Sequence, residues 1–383
     1  DAGEFLAALK AARADPSLGG ASRALPLGVL GVVGAVALGV SAWVLGGGRP
    51  SASATLAPIA TLTPALTSTP APTPAPSLTP GDAGPPEPPR DLARPRFVID
   101  MSRIAGRQAH FVTEEQVLLI GRGRRVQLYS LAARVPDALG PPWDLPAVGT
   151  GSKLAGEGAR LVVVAQDRAW TLTLPSKEAT ELPRLPFAPH SISLWTQQGK
   201  TYLAAVAEDR VAVGELGAPL GELSCQGYSI KAVAGGGRRL ATIARLPNRT
   251  PGVLVFDLDG SGSAFYAFPT RPTALVLGPG GERGAFGSRS GLFQVRAGPQ
   301  FAQVTRSGVG HGGSIRGLDW RGGLIAVLSK FSVSVWREDE LRGPWLRGSL
   351  QGGFKANEVY LSPSGKRLLV RRGTDFLGWD LGR

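Results

Sequence analysis

From residue 97 onward the chain repeats one pattern: a short apolar run, a Gly-rich turn, a second apolar run, then a polar stretch. Short runs of Val, Leu and aromatic residues bounded by Gly, Asp and Ser predict strands, and no long helical periodicity interrupts them. The second run of each unit reads VQLYSL, WTLTL, VAVGEL, VLVFDL, LFQVRAG, VSVWRE and FLGWDLG. Aligned, these place Tyr129, Leu172, Gly214, Phe256, Val295, Trp336 and Trp379 in register, at intervals of 43, 42, 42, 39, 41 and 43 residues. A steady period with room for four short strands per unit predicts an all-β fold, a seven-bladed β-propeller over residues 96–383. The last unit stops after its third strand, while RFVIDM at 96–101 is an isolated strand ahead of the first. That segment is expected to supply the missing strand, closing the ring and removing an exposed edge.

Upstream the pattern changes twice. Residues 25–45, LPLGVLGVVGAVALGVSAWVL, carry no charge and are bracketed by Arg23 and Arg49. At about 1.5 Å per residue such a helix crosses a hydrocarbon core of roughly 30 Å. Pro26 falls in the first turn and Trp43 at an interface, so a single transmembrane helix is expected. Lys10, Arg13 and Arg23 precede the span and only Arg49 follows closely, which places the N-terminus in the cytoplasm and the propeller outside the cell. Gly31, Ala35 and Gly39 recur every four residues and form a small-residue stripe, a dimer face through which two spans could pair. Residues 46–95 are rich in Pro, Ala, Thr and Ser, with too little apolar surface to offset ordering entropy, so they read as a disordered, semi-stiff stalk.

Charge sharpens the picture of the ring. Residues 1–96 hold 7 Lys/Arg against 6 Asp/Glu, about +1, so of the chain's net +13 roughly +12 falls on residues 97–383. Such a balance points to anionic partners. Every turn expected between the second and third strands carries a cation: GRGRR, QDR, EDR, RLPNRT, SRS, SK and RRGTD. In a propeller these turns share one face. Arg122, Arg124, Arg125, Arg371 and Arg372 should cluster where the first and last blades meet, and Arg168, Arg210, Arg289 and Lys330 extend the rim. The rim is the candidate binding site for an extracytoplasmic protein or an anionic polymer, and nucleic acid is not expected there. Asp167, Glu208 and Asp209 dilute its field.

Catalytic chemistry is sparse. Cys225 is the single cysteine, so no internal disulfide and no cysteine metal site can form, and the three histidines (His110, His190, His311) are far apart. No metal site and no catalytic residue is expected in this chain. GVGHGG at 308–313 has the spelling of a dinucleotide loop, but strands rather than a strand and a helix should flank it. Asn248-Arg249-Thr250 spells a glycosylation acceptor. A quinone-cofactor propeller enzyme would need a catalytic constellation that the sequence does not display.

Two units resemble the WD-repeat family. GHGGSIRGLDW begins with Gly310-His311 and leads to Val335-Trp336, and NEVYLSPSGKRLLV leads to Trp379-Asp380. Trp336 is followed by Arg337 rather than Asp, and most units lack the Gly-His, so the resemblance implies a divergent, WD-repeat-like propeller in which His311 is a structural hydrogen-bonding residue. At the other end, DAGEFLAALKAARAD places Phe5, Leu6, Leu9 and Ala12 on one helical face. Through Ala2, Glu4, Phe5, Ala8 and Leu9 this stretch resembles the last helix of bacterial Ser/Thr protein kinase domains. The resemblance implies that residues 1–16 end a truncated cytoplasmic kinase-like domain, followed by a juxtamembrane segment at 17–24. ATP and Mg would be cofactors of that catalytic domain, and none is expected in this chain, which lacks the kinase motifs. The implied protein is a single-pass receptor with a propeller sensor. The alternative is a membrane-tethered scaffold that binds a protein or an anionic cell-wall polymer without any kinase.

Overall fold

A computed structural model describes residues 90–92, 94–100, 108–121, 125–145, 153–258, 262–298, 301–309, 313–339, 343–350 and 356–382. The kinase-like end, the span at 25–45 with its stripe of Gly31, Ala35 and Gly39, and nearly all of the stalk lie outside the described residues, as do Arg122, Arg124 and His311. Among the described residues no helix is long and apolar enough to cross a membrane.

The described chain is a seven-bladed β-propeller. Two strands, β1 (Arg90–Asp91) and β2 (Phe97–Asp100), precede the blades. Blade 1 is β3 (Gln108–Phe111), β4 (Gln116–Ile120), β5 (Arg125–Ser130) and β6 (Asp137–Ala138), with β7 (Trp143–Asp144) also on β5. Blade 2 is β8 (Lys153–Glu157), β9 (Arg160–Ala165), β10 (Arg168–Thr173) and β11 (Glu178–Glu181). Blade 3 is β12 (Ser191–Gln197), β13 (Lys200–Val206), β14 (Val211–Glu215) and β15 (Gly221–Leu223). Blade 4 is β16 (Ser229–Gly236), β17 (Arg239–Arg245), β18 (Pro251–Asp257) and β19 (Gly262–Ala267). Blade 5 is β20 (Pro272–Leu277), β21 (Arg283–Ser288), β22 (Leu292–Ala297) and β23 (Gln303–Val309). Blade 6 is β24 (Ile315–Arg321), β25 (Leu324–Ser329), β26 (Ser332–Arg337) and β27 (Leu346–Ser349). Blade 7 has β28 (Ala356–Leu361), β29 (Arg367–Arg372) and β30 (Asp375–Asp380). Consecutive first strands contact one another around most of the ring, so they line its axis.

The expected closure is present. β2 pairs antiparallel with β30, Phe97 opposite Gly378 and Asp100 opposite Asp375, as the fourth strand of blade 7. Arg96, just before it, is ion-paired with Asp380, the acidic residue of the Trp379-Asp380 dipeptide. The ring also reaches further upstream than residue 96. β1 pairs in parallel with β27, Arg90 opposite Leu346, and Leu92 packs into the core between blades 6 and 7. Backbone bonds from Arg90 N to Trp345 O and from Leu92 N to Arg347 O, with the Leu92 side chain, dock the end of the expected stalk onto a free strand edge.

Why the second strands read as continuous apolar runs follows from the architecture. Each blade is sandwiched between two others, so both faces of a second strand are covered: LIAVLS of β25 is buried at every position. Fourth strands lie at the periphery, and EATE of β11 is exposed throughout. The core is accordingly divided into seven clusters, one per blade junction. At the closing junction Phe97, Ile99, Leu369 and Phe376 meet Ala109, Phe111, Val117 and Leu119. Burying each large side chain there contributes about 1.5–3 kcal/mol.

The repeat period also appears as hydrogen bonds between adjacent blades. Gly235 N donates to Ser193 Oγ (3.0 Å), Trp195 Nε1 to Gly237 O (3.0 Å), Thr273 Oγ1 to Ile315 O (2.6 Å) and Leu361 N to Asp319 Oδ2 (2.6 Å), each spanning 42 residues. One sequence alignment slips. Leu172 and Trp379 face the preceding blade, whereas Val295 faces the following one. Arg296, opposite Gly284 in the second position of β21, is the true equivalent. It lies over Tyr266 and Phe268 of blade 4 at 5.2 and 5.0 Å, a cation on aromatic faces where the other units place an apolar residue.

Candidate functional site: the two ends of the channel

In an antiparallel four-stranded blade, the turn between second and third strands shares an end with the connection to the next blade. The turn between first and second strands lies at the opposite end. The axial channel therefore has a turn-rich basic end and a second, differently built end.

At the basic end, the structure places Arg125 and Arg168 at the starts of third strands, Arg210 just ahead of one, and Arg289 and Lys330 within turns. Several are already engaged. Arg168 donates from Nε and Nη2 to Glu181 Oε1 at 2.9 and 2.7 Å, with its guanidinium over Trp170. Arg210 donates to both oxygens of Glu222 at 3.1 and 2.8 Å and lies over Phe187. Lys330 sits over Phe331, and Arg371 Nε is 3.6 Å from Glu358 Oε2. Arg125 and Arg289 are exposed, and Arg372 closes β29. These pairings anchor Arg168, Arg210, Lys330 and Arg371 to their own blades.

An inner tier of charge was not flagged by sequence reasoning. Lys153, Lys231 and Arg316 stand at or near the starts of the inner strands β8, β16 and β24, closer to the axis than any turn. Arg316 Nη1 donates to Ala356 O and Asn357 Oδ1, both at 3.3 Å. His190 lies beside this tier. Burial lowers its pKa, and the Lys153 and Lys231 charges add to that against the opposing backbone hydrogen bond at Lys231, so it is neutral near pH 7. Their common position would have emerged from aligning first strands rather than second and third ones.

At the other end, side chains meet across the axis. Glu157 ends β8 and Arg321 ends β24, in blades 2 and 6, which are not neighbours in the ring. Arg321 Nη1 donates to Glu157 Oε2 at 2.8 Å, and Arg321 Nε lies 3.7 Å from Asp319 Oδ1. Asp319 also accepts from Trp320 N at 2.9 Å and from Leu361 N of blade 7. Burial pushes the Asp319 carboxyl above its usual range, against the pull of Arg321 and two backbone donors. Burial works against the Arg321 charge, and Asp319 and Glu157 more than offset it, so the guanidinium stays ionised.

This bridge forms a septum with a cavity on each side. The larger, about 360 Å³, lies among blades 1, 2, 6 and 7, and the smaller, about 130 Å³, among blades 2 to 6; both are lined by Glu157, Asp319 and Arg321. His110 of β3 faces the larger one. Its ring lies flat on Gly156, where any Cβ would come within 2.4 Å of the imidazole. His110 Nε2 is 2.7 Å from Gly158 O, so Nε2 carries the proton. Burial lowers its pKa to about 4, leaving a neutral ring with Nδ1 as an acceptor. Deeper, Tyr360 donates its hydroxyl to Glu358, and burial raises its pKa well above the usual value.

Among the described residues, no group of three or more His, Cys, Asp or Glu could hold a metal ion. Cys225 is buried, and desolvation pushes its thiol up to about 12, which leaves it protonated and unreactive. The segment 308–313 joins β23 to β24, strand to strand, the context expected of a blade connection.

No family model matches the chain, and no curated relative does. Solved structures do: 1668 chains match. Among them is a chain of hydrazine synthase from Kuenenia stuttgartiensis, 13% identical, with a TM-score of 0.55 over 79% of this chain and 99% of that one. At this identity the likeness shows the propeller fold alone.

Proposed function

We propose that the propeller is the extracytoplasmic ligand-binding head of a single-pass membrane receptor, and that its basic end takes an anionic polymer or an acidic protein surface. The observation that carries this reading is the two-tiered arrangement of cations at that end: Arg125, Arg168, Arg210 and Arg289 outside, Lys153, Lys231 and Arg316 within. A channel mouth with an excess of one sign of charge attracts the opposite sign, here against the opposing carboxylates that pair with some of the cations. The tether rests on the apolar run at 25–45 and the stalk at 46–95, and the link to a Ser/Thr kinase rests on the resemblance of residues 1–16. Ligand would act by favouring paired over unpaired receptors, through the stripe of Gly31, Ala35 and Gly39. The reading frame upstream of Asp1 tests the kinase arm: a catalytic domain there supports it, and an initiating Met within a few codons leaves the tethered scaffold.

The binding arm is tested with polygalacturonate, a carboxylate polymer, against neutral dextran. Affinity for polygalacturonate should fall steeply with salt, since contacts between exposed charges are screened beyond about 10 Å at 0.1 M. The triple variant Lys153→Glu, Lys231→Glu, Arg289→Glu should weaken it at least tenfold, on the order of 1.4 kcal/mol. Salt-insensitive binding that survives the triple variant would remove this end of the channel as the site.

A further inference from the structure

We propose that the larger cavity at the septum end of the channel is a second binding site, for a small primary ammonium ion carried on an apolar body. Its walls are largely hydrocarbon, from Phe111, Leu154, Leu161, Leu318, Val359 and Leu361, which suits a compact aliphatic or aromatic group. Its polar side chains include Gln108, His110, Glu157, Asp319, Arg321 and Tyr360, and beside the septum Glu157 and His110 supply acceptors. Two carboxylates, Glu157 and Asp319, share the one guanidinium of Arg321, so the septum carries an uncompensated negative charge among the described residues. Both carboxylates are partnered, but one guanidinium balances only one of the two charges, and a ligand cation would balance the other.

The second feature is His110. Its ring is held on Gly156 with Nε2–H committed to Gly158 O, so Nδ1 is fixed as an acceptor. No donor reaches Nδ1 among the described residues, and the residue is half-buried. An ammonium group has three donors and no acceptor. Beside the septum it meets Glu157 and His110 Nδ1 together, with its apolar body against the Leu and Val walls. A carboxylate ligand would face two carboxylates and a guanidinium already shared between them. An alcohol could satisfy Nδ1 but would leave the charge uncompensated.

The site is distinct from the basic end, which lies at the other mouth of the channel, so either can fail without the other. The probes are benzylammonium, phenylacetate and benzyl alcohol, which share a ring and differ in the head group. Binding to the intact chain in non-ionic detergent is followed by calorimetry. Benzylammonium should bind at least tenfold more tightly than either of the others. Glu157→Gln removes a charged partner worth about 1.5–3 kcal/mol, so affinity should fall roughly 10- to 100-fold. Leu154→Phe keeps the ion pair and fills the cavity, and it should abolish binding even where Glu157→Gln does not fold. Thr196→Val, on the smaller cavity, should leave affinity within about twofold, because it touches neither the charge nor the walls of the larger one. Phenylacetate binding as well as benzylammonium, no benzylammonium binding at millimolar concentration, or binding unchanged by Leu154→Phe would each overturn the proposal.

Discussion

The two ends of the channel are built from the same seven inner strands, yet they hold charge in different ways. At the basic end two rim guanidiniums pair within their own blades, Arg168 with Glu181 at 2.7 Å and Arg210 with Glu222 at 2.8 Å. These side chains remain between two-fifths and one-half exposed, and solvent screens them. At the septum end Arg321 reaches Glu157 across the ring at the same 2.8 Å, and its carboxylate Asp319 is desolvated. Equal distances therefore describe unequal interactions. A surface pair contributes little because water competes for it, while a buried group must be satisfied. One end of the ring is thus free to be an electrostatic surface, and the other is part of the scaffold.

The largest test of that difference is steric. Trp195, the inner-strand aromatic of blade 3, lies on Gly235 of blade 4, where a Cβ would fall 2.2 Å from the indole. The indole is buried and tied to Gly237 O, so it cannot swing away without losing that bond. Gly235→Ala should cost about 2–4 kcal/mol, overpacking plus an unsatisfied indole donor. Urea unfolding of Gly235→Ala reads it directly. A loss below about 1 kcal/mol would mean that the septum end is as loosely built as the basic one.

Next in size is a pH effect confined to the septum. The neutral His110 has a folded pKa lowered from 6.5 to about 4 by burial. The unfolded chain takes up a proton on this residue near pH 6.5 and the folded one does not, so stability is full above pH 6.5 and falls as pH drops toward 4. Between pH 6.5 and 5 the loss should be about 1.5 kcal/mol. His110→Gln should flatten the dependence in this window by that amount. His190 is lowered in the same direction, but it is present in both proteins and cancels from the difference. An unchanged pH profile in His110→Gln would show that the imidazole is solvated.

Much of the ring was legible in the sequence, and the reasons are local. Second strands covered on both faces read as apolar runs, and the period between third strands counted the blades. The incomplete last unit pointed to Phe97–Asp100 as its missing strand. Arg296 was misplaced because the alignment followed hydrophobicity, and this blade puts a cation on two aromatic rings where most of its sisters put Leu, Tyr, Phe or Trp. β1 was missed because two charged residues, Arg90 and Asp91, carry no strand signal; the free edge of β27 creates that strand. The septum was invisible for a stronger reason. Glu157 and Arg321 are separated by 164 residues, and only closure of the ring brings the ends of blades 2 and 6 together. The repeat puts both at the ends of first strands, the same 164 residues apart as Leu172 and Trp336, but it does not say that their side chains pair across the axis. The turn cations, by contrast, were readable one blade at a time, because each belongs to a local hairpin.

The smallest effect expected is also the sharpest comparison, since it sets one arginine against another. Arg168→Ser removes an ion pair with Glu181 and a contact with the face of Trp170, both at a half-exposed surface. Water replaces both partners, so stability should change by less than about 1 kcal/mol and most of the change should vanish at high salt. Arg321→Ser, at the other end, leaves Glu157 and Asp319 facing each other without a cation, and part of that cost should persist at high salt because the half-buried carboxylates are screened less than a surface pair. Unfolding of the two variants at low and high salt separates them. Equal, fully salt-sensitive losses would show that the septum is another surface ion pair, and the distinction between the two ends of the channel would disappear.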